Sequence, residues 1–295
     1  MRLVTFSDAK GVRIGVHDPE SSAIIDLAAS TRLPKEMTAF VALGKKGLAR
    51  ARKAVKSGEG RIPAAGVKLL APFPRPAKNI LCVGKNYHDH AREFHNSGFD
   101  ASAGKDAIPE VPIMFTKWPN SVIGPGDAIP SANDYTNSVD YEGELTVVMG
   151  EGGRNISQKN AWKHVYGYTI INDVTARTLQ NRHKQWFLGK SPDGFCPMGP
   201  CIVTADEIRD VTQLRLITKV NGELRQDAFV SQLIFDIPRL IEDLSRVMTL
   251  EPGDLIATGT CAGVGIGFNP PKYLKPGDRV AITIEPIGTL ENPVA

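Results

Sequence analysis

The sequence predicts an α+β protein in which antiparallel sheet dominates, with a small N-terminal α/β unit ahead of it. Three observations carry that expectation. The helical stretches are few: one rich in Ala, Lys and Arg up to Val55, then Tyr87–Phe94, Thr175–Asn181 and Leu240–Val247 after Pro238. The C-terminal third is mostly short apolar runs, two of them preceded by Pro252-Gly-Asp and Pro276-Gly-Asp, a pattern of strands between turns. Asn221-Gly222 separates the run Leu214–Val220 from Glu223–Gln226, and this dipeptide is the strongest short-range hairpin signal.

The elements follow in order. Leu3-Val-Thr-Phe, Val12-Arg-Ile-Gly-Val and Ala23-Ile-Ile-Asp-Leu read as strands of a first unit over residues 1–62. Pro63, Pro72, Pro74 and Pro76 mark a connector over 63–78. A second unit, 79–295, opens with the buried strand Ile80-Leu-Cys-Val. Residues 96–112 show no periodicity and read as a mobile loop. Strands are expected near Ile113–Thr116, through Glu142–Met149 and over Tyr166–Ile171, the last ending at Asn172-Asp173.

Composition narrows the function. Among 295 residues, 42% apolar and 23% charged content are ordinary for a globular protein, and a net charge of +3 without a basic tract argues against nucleic-acid binding. No apolar run reaches the roughly 20 residues that span a bilayer, and the N-terminus has no signal-peptide core, so a cytoplasmic location is expected. The four cysteines, Cys82, Cys196, Cys201 and Cys261, form no C-x-x-C pair and read as reduced core thiols rather than zinc ligands.

Chemistry is concentrated in a few places. In Ser138-Val-Asp-Tyr-Glu-Gly-Glu-Leu145 the alternation of a strand puts Asp140, Glu142 and Glu144 on one face, with Tyr141, Leu145 and Val147 on the other. The pair Glu142 and Glu144 is either the solvated side of an edge strand or, with Asp173 at the end of another strand, a set of hard oxygen ligands for Mg²⁺, Mn²⁺ or Ca²⁺. His90 and Glu93 lie three apart on one helix face. They form either a surface pair or a carboxylate-oriented general base. A metal site from His88, His90 and His95 is disfavoured, because residues two apart on a helix point apart. Lys190, in Gly189-Lys-Ser191, could meet an anionic substrate. The glycines of Thr258-Gly-Thr-Cys-Ala-Gly-Val-Gly265 let backbone N–H groups approach a ligand, but the loop lacks the lysine of a nucleotide-binding P-loop.

In this order, Val83-Gly-Lys-Asn-Tyr-His-Asp-His-Ala-Arg-Glu93, Asp140-Tyr-Glu-Gly-Glu-Leu145, Ile171-Asn-Asp-Val-Thr-Ala-Arg177 with Gln180, Gly189-Lys-Ser191, Val220–Gln226 and Thr258-Gly-Thr260 with Gly263-Val-Gly265 resemble the fumarylacetoacetate hydrolase family over about residues 66–290. The first 62 residues resemble the small N-terminal domain of many bacterial members. The resemblance implies a mixed β-roll, usually a homodimer or higher oligomer. It implies that Glu142, Glu144 and Asp173 bind Mg²⁺ or Mn²⁺. It further implies that His90 and Glu93 are a catalytic dyad on a lid helix, and that Lys190, Gln180 and Thr260 contact substrate or the developing oxyanion. Arg177 matches a position near the metal. One departure is Cys261, where the family often has Pro; a nucleophilic role for it has no support in the sequence.

The activity so implied is hydrolysis of a C–C bond in an acylpyruvate, a small keto acid. His90, oriented by Glu93, would deprotonate water, and the products would be pyruvate and a carboxylic acid, as in aromatic catabolism. Decarboxylation of an oxaloacetate-like acid, isomerisation of a diene-dioate, and binding without turnover are the alternatives. The 96–112 segment and Trp186 are expected to shape the acyl pocket.

Overall fold

The computed structural model describes residues 1–31, 33–100 and 107–295. Its centre is the antiparallel pair Gly143–Met149 and Val165–Asn172, in register from Gly143 opposite Asn172 to Val148 opposite Gly167. Both strands are buried at every position. Their runs, Leu-Thr-Val-Val-Met and Val-Tyr-Gly-Tyr-Thr-Ile-Ile, are near-continuous apolar segments because both sheet faces are covered. One apolar cluster holds Phe6, Tyr141, Leu145 and Val147, and another holds Leu3, Val148, Ile171 and Leu255.

The large sheet is mixed. On one side Leu255–Ala257 pairs antiparallel with Gly143–Met149 and parallel with Ile80–Gly84, which pairs in turn with Ile113–Lys117. On the other side comes Cys196–Thr204. Arg2–Asp8 joins it through Arg2↔Val203 and Leu3↔Ile202. The first strands therefore extend the same sheet, and Lys68–Leu70, inside the proline-rich connector, adds another strand against Thr5–Ser7. The mixed α+β class expected from the sequence is the class observed.

A separate four-stranded sheet runs in the order Glu223–Phe229, Arg215–Val220, Arg279–Ile284, Gly288–Pro293. Its hairpin turns at Asn221 and Gly222, both at positive φ, 52° and 82°, the backbone that a two-residue primed turn requires. Ile237–Val247 forms a helix whose Ile237, Leu240, Ile241 and Leu244 are buried along one stripe. Asp236 caps it by accepting from Arg239 N–H at 2.9 Å. No helix of the described residues is long and apolar enough to cross a membrane.

Two local differences from the sequence reading position the site. The helix expected from Thr175 begins only at Arg177, because Thr175 and Ala176 pair with Asp140 and Val139. The strand expected through Glu142 begins only at Gly143: Glu142 N–H donates to the Asn172 side chain at 3.0 Å instead of a ladder partner. The 96–112 segment lies partly outside the described residues, over 101–106; residues 97–100 and 107–112 carry no helix or strand.

A Cβ at Gly222 would meet nothing within 4 Å, so Gly222→Ala tests the left-handed backbone alone. It is expected to cost about 1–2 kcal/mol in chemical denaturation, with catalytic constants unchanged.

Candidate active site and metal centre

Glu142 and Glu144 flank the start of the central strand, and Asp173 follows the end of its partner. All three are buried, at 4%, 1% and 0% exposure, so the solvated-edge alternative does not hold. One oxygen from each lies within 4.8 Å of the others. Their convergence follows from register: Gly143 opposite Asn172 brings the two strand ends together, and Asp173 N–H donates to the Glu142 carbonyl at 2.8 Å.

Buried carboxylates at this spacing repel unless compensated. Lys190 Nζ bridges Glu142 Oε2 and Asp173 Oδ2, at 2.7 Å each. Arg177 reaches Glu142 Oε1 at 2.6 Å and Asp140 Oδ2 at 2.9 Å. Lys117, fully buried, donates to Asp173 Oδ1 at 2.7 Å, to the Val174 carbonyl at 3.0 Å and to the Lys190 carbonyl. Burial alone would raise the Glu142 carboxyl, but Lys190 and Arg177 outweigh it and hold the group below the ordinary carboxylate range. Glu144 goes the other way. Burial, then Asp173 and Glu142, push it well above that range. Its hydrogen bond is the Gly259 N–H at 2.8 Å, and no cation pairs with it among the described residues.

Among the described residues four carboxylates thus face three cations, and Glu144 is the one without a cationic partner. Three convergent hard oxygens with excess negative charge fit a divalent cation such as Mg²⁺ or Mn²⁺.

The glycine-rich loop spends its amides on protein carboxylates rather than on a ligand. Besides Gly259, Gly265 and Ile266 N–H donate to Asp140 at 2.7 and 3.0 Å. Gly263 N–H donates to Glu93 Oε1 at 2.9 Å. Glu93 Oε2 lies 3.1 Å from His90 Nδ1. Glu93 is an acceptor at both oxygens in this arrangement, which places the imidazole proton on Nδ1 and leaves Nε2 with a lone pair. A Cβ at Gly267 would strike the Glu93 carboxylate, and one at Gly263 the Arg225 carbonyl, so the loop closes on the dyad only with glycine at these positions.

His90, Glu142, Glu144, Arg177, Gln180, Lys190 and Thr260 line one small cavity, whose wall is completed by Val83, Gly84, Lys85, Phe94, Phe115 and Trp186. Trp186 has φ 60°, rare for a bulky residue, and a Cβ on Gly84 would press into its indole. The indole meets Phe94 of the dyad helix and Phe115 edge-on, with centroids at 6.0 and 5.3 Å.

The structure therefore gathers all nine expected site residues, Glu93 from behind His90. It also shows some engaged by the protein. The Thr260 hydroxyl donates to the Gly143 carbonyl at 2.9 Å and accepts from Gln226 at 2.7 Å. Gln180 Oε1 accepts from Arg177 at 3.2 Å. His88 is exposed and His95 half-buried, and neither joins a metal cluster among the described residues. Burial pushes the Cys261 thiol up to about 12, which removes it as a nucleophile at neutral pH. Sequence reasoning missed Lys117 and Lys85. Lys117 shares strand parity with Ile113 and Phe115, so a charge on an apolar face was the available signal.

Residues 79–295 match the sequence model of the fumarylacetoacetate (FAA) hydrolase C-terminal family. The chain belongs to that family. Its relatives there include the oxaloacetate tautomerase YisK of Bacillus subtilis, 50% identical over 270 residues, covering 89% of this chain and 87% of that protein. The mitochondrial oxaloacetate tautomerase fahd2 of Xenopus laevis is 40% identical, covering 100% of this chain and 90% of its own. Among solved structures, maleylpyruvate hydrolase of Sphingobium sp. SYK-6, in complex with manganese(II) and pyruvate, is 31% identical with a TM-score of 0.79, covering 100% of this chain and 99% of that one. Glu142, Glu144 and His90 line one cavity here, with Asp173 tied to Glu142 through Lys190 and Glu93 set behind His90.

Two outcomes are expected. Asp173→Asn should weaken Mn²⁺ binding by about tenfold or more in calorimetric titration, since even outer-shell partners of a metal contribute 10–100-fold; unaltered affinity would reject Asp173 as a ligand. Iodoacetamide at pH 8, far below the Cys261 value, should leave that thiol unmodified in the native protein and label it after denaturation, as read by peptide mass.

Proposed function

We propose that this protein is a divalent-metal-dependent enzyme that interconverts the keto and enol forms of a short 2-keto acid, with oxaloacetate as the favoured substrate and Mg²⁺ or Mn²⁺ as the ion. The observation that carries the reading is the His90–Glu93 geometry. One imidazole has Nδ1 held at 3.1 Å from Glu93 and its other nitrogen left for the cavity that Glu142 and Glu144 also line. The two tautomerase relatives support the substrate.

Glu142, Glu144 and Asp173 would hold the ion, which when bound draws charge from the keto oxygen and acidifies the adjacent C–H. His90 Nε2 takes a proton from C3 and the imidazolium returns it to the C2 oxygen; the C2–C3 double bond forms as the C2–O double bond becomes single. Atoms are conserved, and no water is consumed. Glu93 stabilises the imidazolium and fixes its orientation, while the Gly263 N–H keeps Glu93 in place. Arg177 and Lys190 hold the Glu142 carboxylate ionised.

The acylpyruvate hydrolase reading expected from the sequence keeps support from the maleylpyruvate hydrolase structure. The same dyad would then deprotonate a water. Oxaloacetate, acetylpyruvate and maleylpyruvate, each assayed with Mn²⁺ and with EDTA, separate the readings. Metal-dependent acceleration of oxaloacetate enolisation without pyruvate or CO₂ is the expected result. Pyruvate released from a diketo acid with no faster enolisation would replace tautomerase by hydrolase, and CO₂ from oxaloacetate would replace it by decarboxylase. His90→Ala should lower turnover by about 10²–10⁴-fold with Mn²⁺ affinity kept; undiminished turnover would sink the dyad.

A further inference from the structure

Among the described residues, Arg177, Lys190 and Lys85 are the lysines and arginines that line the cavity. The first two are committed to the carboxylates of the metal centre. Lys85 is not. It lines the same cavity, next to Gly84 against which Trp186 packs, and is 3% exposed. Its Nζ meets Asp100 Oδ2 at 2.7 Å, and Asp100 belongs to the segment after the dyad helix rather than to the sheet. Lys85 also holds a left-handed backbone, φ 56°, which a lysine rarely adopts. Strained backbone of this kind clusters at functional sites.

We propose that Lys85 is the residue that selects keto acids with a second carboxylate, and that the Asp100 carboxylate holds the place which that substrate group takes. This rests on the reading of the site as a keto-acid site. A 2-keto acid whose C1 carboxylate and keto oxygen lie at Glu142, Glu144 and Asp173 would extend its far end into the rest of the cavity. A second carboxylate buried there needs a cationic partner, and Lys85 is, among the described residues, the lining lysine or arginine whose charge is not spent on those carboxylates. Asp100 shows that the ammonium accepts a carboxylate at hydrogen-bond distance. When the substrate takes its place, Asp100 has a second partner at hand: His95 Nδ1 lies 3.7 Å from the same oxygen.

The test uses the full chain loaded with Mn²⁺ and two four-carbon keto acids that differ at C4, oxaloacetate and 2-oxobutyrate, with affinities measured by calorimetry. Wild type should favour oxaloacetate. Lys85→Met should weaken oxaloacetate by about tenfold to a hundredfold, the value of a charged hydrogen bond, and leave 2-oxobutyrate within about threefold. Asp100→Asn should act in the opposite direction and tighten oxaloacetate, because it removes the competing carboxylate. A Lys85–Asp100 pair that merely latched the segment would make both variants weaken both ligands, and that result would overturn the proposal. Equal loss of the two keto acids in Lys85→Met would overturn it as well, while the keto-acid reading stood. If Lys85→Met does not fold, Asp100→Asn decides by its sign. Failure of wild type to bind either keto acid would overturn the functional reading and this assignment with it.

Discussion

Four carboxylates, Asp140, Glu142, Glu144 and Asp173, are gathered in the interior at the ends of two central strands, and most of the surrounding architecture answers the repulsion among them. Arg177, Lys190 and Lys117 supply positive charge. Loop amides of Gly259, Gly265 and Ile266 supply dipoles. The compensation is incomplete at Glu144. An interior that neutralises three acids and leaves the fourth short of a partner is built to receive a cation, since buried charge without a counter-charge is costly.

The same loop ties that centre to the His90–Glu93 pair. Gly259 holds a metal-site carboxylate and Gly263, four residues later, holds Glu93 of the dyad. The His90 imidazole is thereby referenced to the frame that orients the carboxylates, although it comes from a different helix. Trp186 makes a second link. Its carbonyl accepts from Lys190 N–H at 3.0 Å, and its indole packs on Phe94 of the dyad helix. The dyad helix and Lys190 are thus joined through packed aromatic rings and one backbone hydrogen bond.

Local signals in the sequence reached the elements whose causes are local. The Asn221-Gly222 hairpin was legible because its turn demands positive φ at both residues. The Ile237–Val247 helix was legible from its apolar stripe. Glu142 and Glu144 were legible as a pair because alternation is a local rule. What alternation could not say was which environment the pair faced. The same limit applied to Thr175, where a helical start gave way to pairing with Asp140. It also applied to Lys117 and Lys85, ordinary lysines in sequence whose partners, Asp173 and Asp100, lie 56 and 15 residues away.

The order and spacing of the motifs by themselves pointed to the family and the mixed α+β class, and the resemblance marked the carboxylates and the dyad as site candidates; short-range periodicity alone left both pairs open between a solvated face and a functional one. Only the tertiary structure decided that the carboxylates are buried, that amides of the glycine-rich loop serve them and Glu93, and that Lys85 lines their cavity while paired with Asp100. Those outcomes are set by strand register and by charge compensation between segments far apart in the chain, and neither is written in any one stretch of it.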